Sequence, residues 1–129
     1  MRHRTIFLTA AACMFAATAW AHHNMSAIYD FNDKITMTGT LSKIDWRNPH
    51  IELIVATKNG GTEVQSWALE GPSPSFFRTR DINKSDIETA INKTVTAEAS
   101  RARDGSRAGL LRTMMLPDGK LISACPQNC

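Results

Sequence analysis

The pattern that most restricts the fold lies in residues 34–46. Ile35, Met37, Gly39 and Leu41 alternate with Thr36, Thr38 and Thr40, and this period of two predicts a strand with one buried face. Beyond Leu41 the apolar positions move to Ile44 and Trp46, so the parity switches. An uninterrupted strand would turn one of the two sets into water. One extra residue near Ser42 and Lys43, a β-bulge, returns both sets to a single core and bends the strand enough to serve two halves of a barrel.

The remaining pattern fits that start. Asn48-Pro49 breaks the run, and His50 to Thr57 resumes it with Ile51, Leu53 and Val55 on one side. Asn59-Gly60-Gly61 is a turn signal, so residues 62–70 pair back as a third strand carrying Trp67 and Leu69. After Gly71-Pro72-Ser73-Pro74, Phe76, Phe77, Ile82, Ile87 and Ile91 recur at helical separations and predict one or two short helices. Residues 93–103 alternate through Val95, Ala97 and Ala99, Asp104-Gly105 turns, and residues 110–116 form a last long strand, extended past Asp118-Gly119 by Leu121 and Ile122. Three strands, a helical stretch and two strands are the order of a small mainly β, OB-like five-stranded Greek-key barrel with its helices between strands three and four. A two-layer α+β sheet is the alternative.

Residues 1–21 have the order of a secretory signal. Arg2, His3 and Arg4 are basic, Ile6 to Ala17 are apolar, and Ala19-Trp20-Ala21 offers the small residues that signal peptidase admits. The apolar stretch is shorter than the roughly 20 residues that span a bilayer, so no membrane span is expected in the mature chain. Cleavage after Ala21, in preference to a lipoprotein cut before Cys13, implies a periplasmic protein with an N-terminal arm (residues 22–33), a barrel (34–123) and a tail (124–129). With Arg2 and Arg4 gone from the 15 basic residues, 13 face 12 acidic ones and the net charge falls to +1. That balance and export argue against a nucleic-acid partner. Arg101, Arg103, Arg107 and Arg112 are the one cationic concentration, read as a solvated strand face.

Cys125 and Cys129 remain after cleavage, an even number for an oxidising compartment, and a small disulfide loop is the simplest reading. A redox pair, an inter-chain link and soft metal ligation stay open beside it. The same cleavage creates a free α-amine on His22, followed by His23. The amine and Nδ1 of an N-terminal histidine can chelate one metal ion, a second imidazole completes a tetragonal set, and nitrogen donors favour copper. His50 is the candidate third ligand, because Pro49 and Asn48 give it a defined direction. Met25, Met37, Met114 and Met115 are soft donors better explained as core filler, and the adjacent Met114 and Met115 point to opposite faces. Trp46, Trp67 and Arg101 are the candidate contacts for a protein or glycan partner. The carboxylates Asp45, Glu52, Glu63 and Glu70 lie on or beside strands and read as a solvated face. No phosphate loop, nucleophile elbow or His-Glu-x-x-His motif occurs, so an enzyme ranks third.

The strings Ala21-His22-His23, Thr38-Gly39-Thr40, Asp45-Trp46-Arg47-Asn48-Pro49-His50, Trp67-Ala68-Leu69-Glu70 and Arg103-Asp104-Gly105-Ser106 resemble a family of small exported bacterial proteins of unknown function. The resemblance covers nearly all of the mature chain and implies an envelope location and a barrel-like domain, without an activity. The expected function is therefore a non-catalytic periplasmic binding protein that holds copper through His22, His23 and His50. The alternative is an envelope interaction or scaffold module that binds its partner or a small ligand without metal.

Overall fold

The computed structural model describes residues 24–58 and 60–125. The expected signal segment, His22, His23 and Cys129 lie outside the described residues. Within them the chain runs α1 (Met25–Ile28), β1 (Tyr29–Asp45), β2 (Glu52–Lys58), β3 (Val64–Glu70), α2 (Pro74–Arg78), α3 (Lys84–Glu88), β4 (Thr94–Ala102), β5 (Ala108–Met115) and β6 (Leu121–Ser123). The sheet order is β3-β2-β1-β4-β5-β6, with antiparallel neighbours, and β3 also pairs with β5 in parallel. That last pairing joins the two sides of the sheet, so β1, β2, β3, β5 and β4 close into a barrel-like ring. The fold is mainly β, with two short helices between β3 and β4. Among the described residues no helix separates β2 from β3, and the two-layer alternative falls away.

The register of β1 explains how one strand serves both sides. Residues 34–40 pair with β4, and residues 40–45 pair with β2 across a shift between Leu41 and Lys43. The shift places Leu41 opposite Val55 and Ile44 opposite Leu53, so the two parity sets meet one core. Leu41, Leu53 and Val55 are fully buried, while Ile35, Ile44 and Trp46 pack against them half-buried. The bulge is also tied from the other side, where Leu41 donates to the Lys93 carbonyl and Asn92 donates to the Leu41 carbonyl. Strand β1 starts five residues before Lys34, at Tyr29, and a single helical turn precedes it.

Closure of the ring depends on a close approach at Gly109. A Cβ there would lie 2.9 Å from the Ala99 side chain and 3.1 Å from the Ser100 carbonyl, so β5 can fit against β4 and β3 only without a side chain at this point. The helices between β3 and β4 are brief because their signals are. Ser73 caps α2 by accepting from the Phe76 amide, with Pro74 in the first turn. The Asn83 amide donates to Asp86 Oδ2 at the start of α3, and Asn92, with φ of 63°, turns the chain into β4. Together α2 and α3 cover the core with Phe77 and Ile87, both fully buried. Phe77 packs its ring 5.4 Å from those of both Trp46 and Phe76.

Two readings of single residues need correction. The expected solvated face of arginines does not hold for Arg112, which is 4% exposed and bonded to Glu98 Oε1 at 2.9 Å and Ser100 Oγ at 3.2 Å. A guanidinium can be buried when its donors are paired in this way. His50 does not begin a strand but stands two residues before β2. Met114 and Met115 face opposite ways as expected, one fully buried and one 40% exposed. Among the described residues no helix is long and apolar enough to cross a membrane.

Candidate functional site

Backbone bonds bring the residues after β1 to the end of β3. Ile51 donates to the Pro72 carbonyl, and Gly71 donates to the Ile51 carbonyl at 2.9 Å. Gly71 permits this, since a Cβ there would meet the Ile51 side chain at 2.8 Å. His50 is thereby set against Glu70, the last residue of β3, and His50 Nδ1 pairs with Glu70 Oε1. The other carboxylate oxygen, Oε2, accepts from the Tyr29 hydroxyl at 2.6 Å. Residues 29, 50 and 70 are far apart in sequence, and one carboxylate holds the other two side chains.

The three side chains border a cavity of about 290 Å³ walled also by the cis Asn48-Pro49 peptide, Glu52, Ala68 and Ala108. Glu52 and Glu70 line it together with Arg47. Burial, then the hydrogen bond to Glu70, then the charges of Glu70, Glu52 and Asp104 push the Tyr29 hydroxyl far above the ordinary phenol range. Tyr29 is therefore a firmly protonated donor and Glu70 its acceptor. Hydrogen bonds from Ser106 hold the Asp104 carboxyl below its usual range, so it adds a negative charge near neutral pH. Arg47, on the rim, is 76% exposed and turned to Asp45.

A histidine whose Nδ1 faces a carboxylate is oriented, and its neutral ring carries the lone pair on Nε2. That arrangement recurs behind metal-ligating histidines, where the carboxylate fixes the tautomer and raises the basicity of the ligand. Among the described residues, no group of three His, Cys, Asp or Glu side chains is placed to hold a metal ion. His50 and Glu70 offer a partial set, and further donors have to come from elsewhere. The two other histidines of the expected set, His22 and His23, lie outside the described residues.

The three residues expected to meet a partner divide. Arg101 stands over the Trp67 ring at 5.5 Å and bonds Asp33 through Nε at 3.0 Å, beside a second notch bordered by Thr36 and Thr38. Trp46 is elsewhere, packed on Phe77. Cys125 is disulfide-bonded, and the bond's other half lies outside the described residues. The sequence alone does not single out Glu70, which reads as part of a solvated face, or Tyr29, which falls within the expected N-terminal arm. The one available signal was the position of Glu70, between a strand and Gly71-Pro72, in a string shared with the family resemblance.

Neither a curated protein nor a solved structure matches the chain. A family of unknown function, DUF6152, matches residues 10–112, and the chain belongs to that family.

Proposed function

We propose that this is an exported, non-catalytic binding protein of the periplasm that holds copper between His50 and the histidines of its mature N-terminus. The observation that supports this most is the double engagement of Glu70. It orients His50 and also binds Tyr29, which directly follows α1. The arm therefore enters the barrel beside the oriented histidine. Glu52 and Glu70 line that entrance with carboxylates that a cation can meet. A ligand set made of imidazoles and an amine ranks Cu(II) above its first-row neighbours.

The test uses the chain starting at His22. Titration with Cu(II), followed by electron spin resonance, should give nitrogen coordination that weakens in His50→Ala and in a chain that retains Ala21, where the amine no longer belongs to His22. No binding tighter than micromolar would end the copper reading. Mass spectrometry of the exported protein checks the cut itself, which should leave His22 first.

The pairing of Arg101 with Trp67 favours a second reading, an interaction module that binds a protein or glycan partner through that notch without metal. Under it, Trp67→Ala should abolish partner capture while His50→Ala leaves it intact, and the reverse pattern would discard it.

A further inference from the structure

We propose that an extended peptide binds beside β1 as an added strand, along the edge of residues 35–38 that faces away from β4, and that an acidic side chain of the peptide meets Arg101 in the notch. This rests on the second reading above and gives its partner a chemical class. Residues 34–40 of β1 pair with β4, whereas pairing with β2 begins only at Thr40. Among the described residues no strand is laddered to the other edge of residues 35–38. Which groups face that edge follows from the alternation of an antiparallel ladder, in which every second residue directs both its N–H and its C=O to one neighbour. Leu41 donates to the carbonyl of Lys93, just before β4, so Gly39, Met37 and Ile35 bond to β4 and Thr38 and Thr36 direct their main-chain groups the other way. Thr38 and Thr96 are then a pair without mutual backbone bonds, the kind whose side chains lie closer, and their hydroxyls meet at 2.9 Å.

The notch, of about 280 Å³, runs along this edge. Residues 35–38 all border it, and because successive side chains point to opposite faces, only a space beside the strand can touch all four. Thr57 of β2 and Trp67 of β3 stand across from them. The opening ends at Gly39, where a Cβ would overlap the Ala56 carbonyl. Thr36 and Thr38 are exposed, and their main-chain groups repeat at about 7 Å, the period of a second strand. A peptide matches that row with its own amides and a sugar does not. In strand addition the main-chain bonds supply affinity and the side-chain pocket supplies specificity. Here Arg101 sets the specificity, since among the described residues it is the one charged side chain of the notch wall. Its bond to Asp33 uses Nε, and the two terminal nitrogens carry four further N–H groups, the fork that a carboxylate accepts two at a time. The Trp67 ring, 5.5 Å from the guanidinium carbon, holds that fork in place.

The experiment pans random short peptides displayed on phage against the purified protein and measures the enriched sequences, as synthetic peptides, by fluorescence anisotropy. They should share one acidic residue. Arg101→Gln should weaken them about tenfold or more, the range for hydrogen bonds to charged groups. Asp33→Asn, which removes the carboxylate that competes for Arg101, should tighten them a few fold. Thr36→Pro takes away an N–H that faces the open edge and none that bonds to β4, so it should abolish binding while unfolding stays cooperative. Should that variant fold poorly, methylating alternate amides of the peptide makes the same test on the unaltered protein and should also abolish binding. Enriched peptides without an acidic residue would overturn the proposal, as would affinity that survives both Arg101→Gln and peptide methylation. An oligosaccharide array that yields Trp67-dependent binding where peptides yield none would overturn it and leave the partner reading standing. Sedimentation showing two copies joined through this edge would overturn it in favour of self-association. Binding of neither peptides nor oligosaccharides would remove the partner reading together with the proposal.

Discussion

Phe77 of α2, Ile87 of α3 and Leu41 of β1 are fully buried in one apolar cluster, whereas around Glu70 three polar side chains share two short bonds at the edge of a cavity. The first region gains from removing area from water and tolerates little change of volume. The second gains only if its charges remain paired, and its bonds fix directions more than they add stability. The contrast shows where each kind of information resides. The buried region specifies the ring, and the polar cluster uses the ring to bring residues 29, 50 and 70 to one place.

The largest expected effect tests the apolar side. Phe77→Ala should lower the unfolding free energy by about 3–5 kcal/mol, read by denaturant titration, because it opens a cavity against Trp46. The folded fraction should bind Cu(II) as before. A change in affinity without loss of stability would break the division between the regions. Gly109→Ala comes next. The added methyl must be accommodated between β4 and β3, with an expected cost of about 1–3 kcal/mol on the same measurement. A neutral result would mean that the ring is not tightly closed there.

The polar side can be read through its only tyrosine. With the Tyr29 hydroxyl raised in the folded state, its contribution to stability is complete below the ordinary phenol value near 10 and is lost as pH rises toward the higher folded value. Ultraviolet titration of the folded protein should show phenolate forming only well above pH 10. Glu70→Gln should bring that transition down, since it removes the charge that disfavours phenolate. Above the ordinary value the unfolding free energy should fall by up to about 1.4 kcal/mol per pH unit. An ordinary phenol titration would show that Glu70 does not hold Tyr29. The smallest effect is expected at the rim. Arg47→Ala removes an exposed pair with Asp45 and should change stability by no more than about 0.5 kcal/mol.

Much of the ring was legible because it is written locally. The parity switch between Leu41 and Ile44 points to the bulge, the turn signals to the hairpins, and the apolar positions of residues 76–91 to one or two short helices, of which the structure has two. The cluster around Glu70 was not legible in this way. An acidic residue at a strand end has the same local pattern whether it faces water or a histidine, and the difference lies in the Ile51 to Gly71 and Pro72 bonds. Arg112 escaped for the same reason, since its burial depends on Glu98 and Ser100 across the neighbouring strand. Asn48-Pro49 draws attention to His50 in the sequence, whereas the partner that holds its ring, Glu70, is one that no local pattern announces.

The most direct test of the central claim, that Glu70 gathers a cation site at His50 and Tyr29, is paramagnetic broadening. Substoichiometric Cu(II) added to the isotopically labelled chain starting at His22 should selectively broaden the magnetic resonance signals of Tyr29, His50, Glu70 and Ala108. Trp67 and Met115 should stay sharp. Broadening centred on Trp67, or spread evenly over the surface while these four stay sharp, would contradict the account.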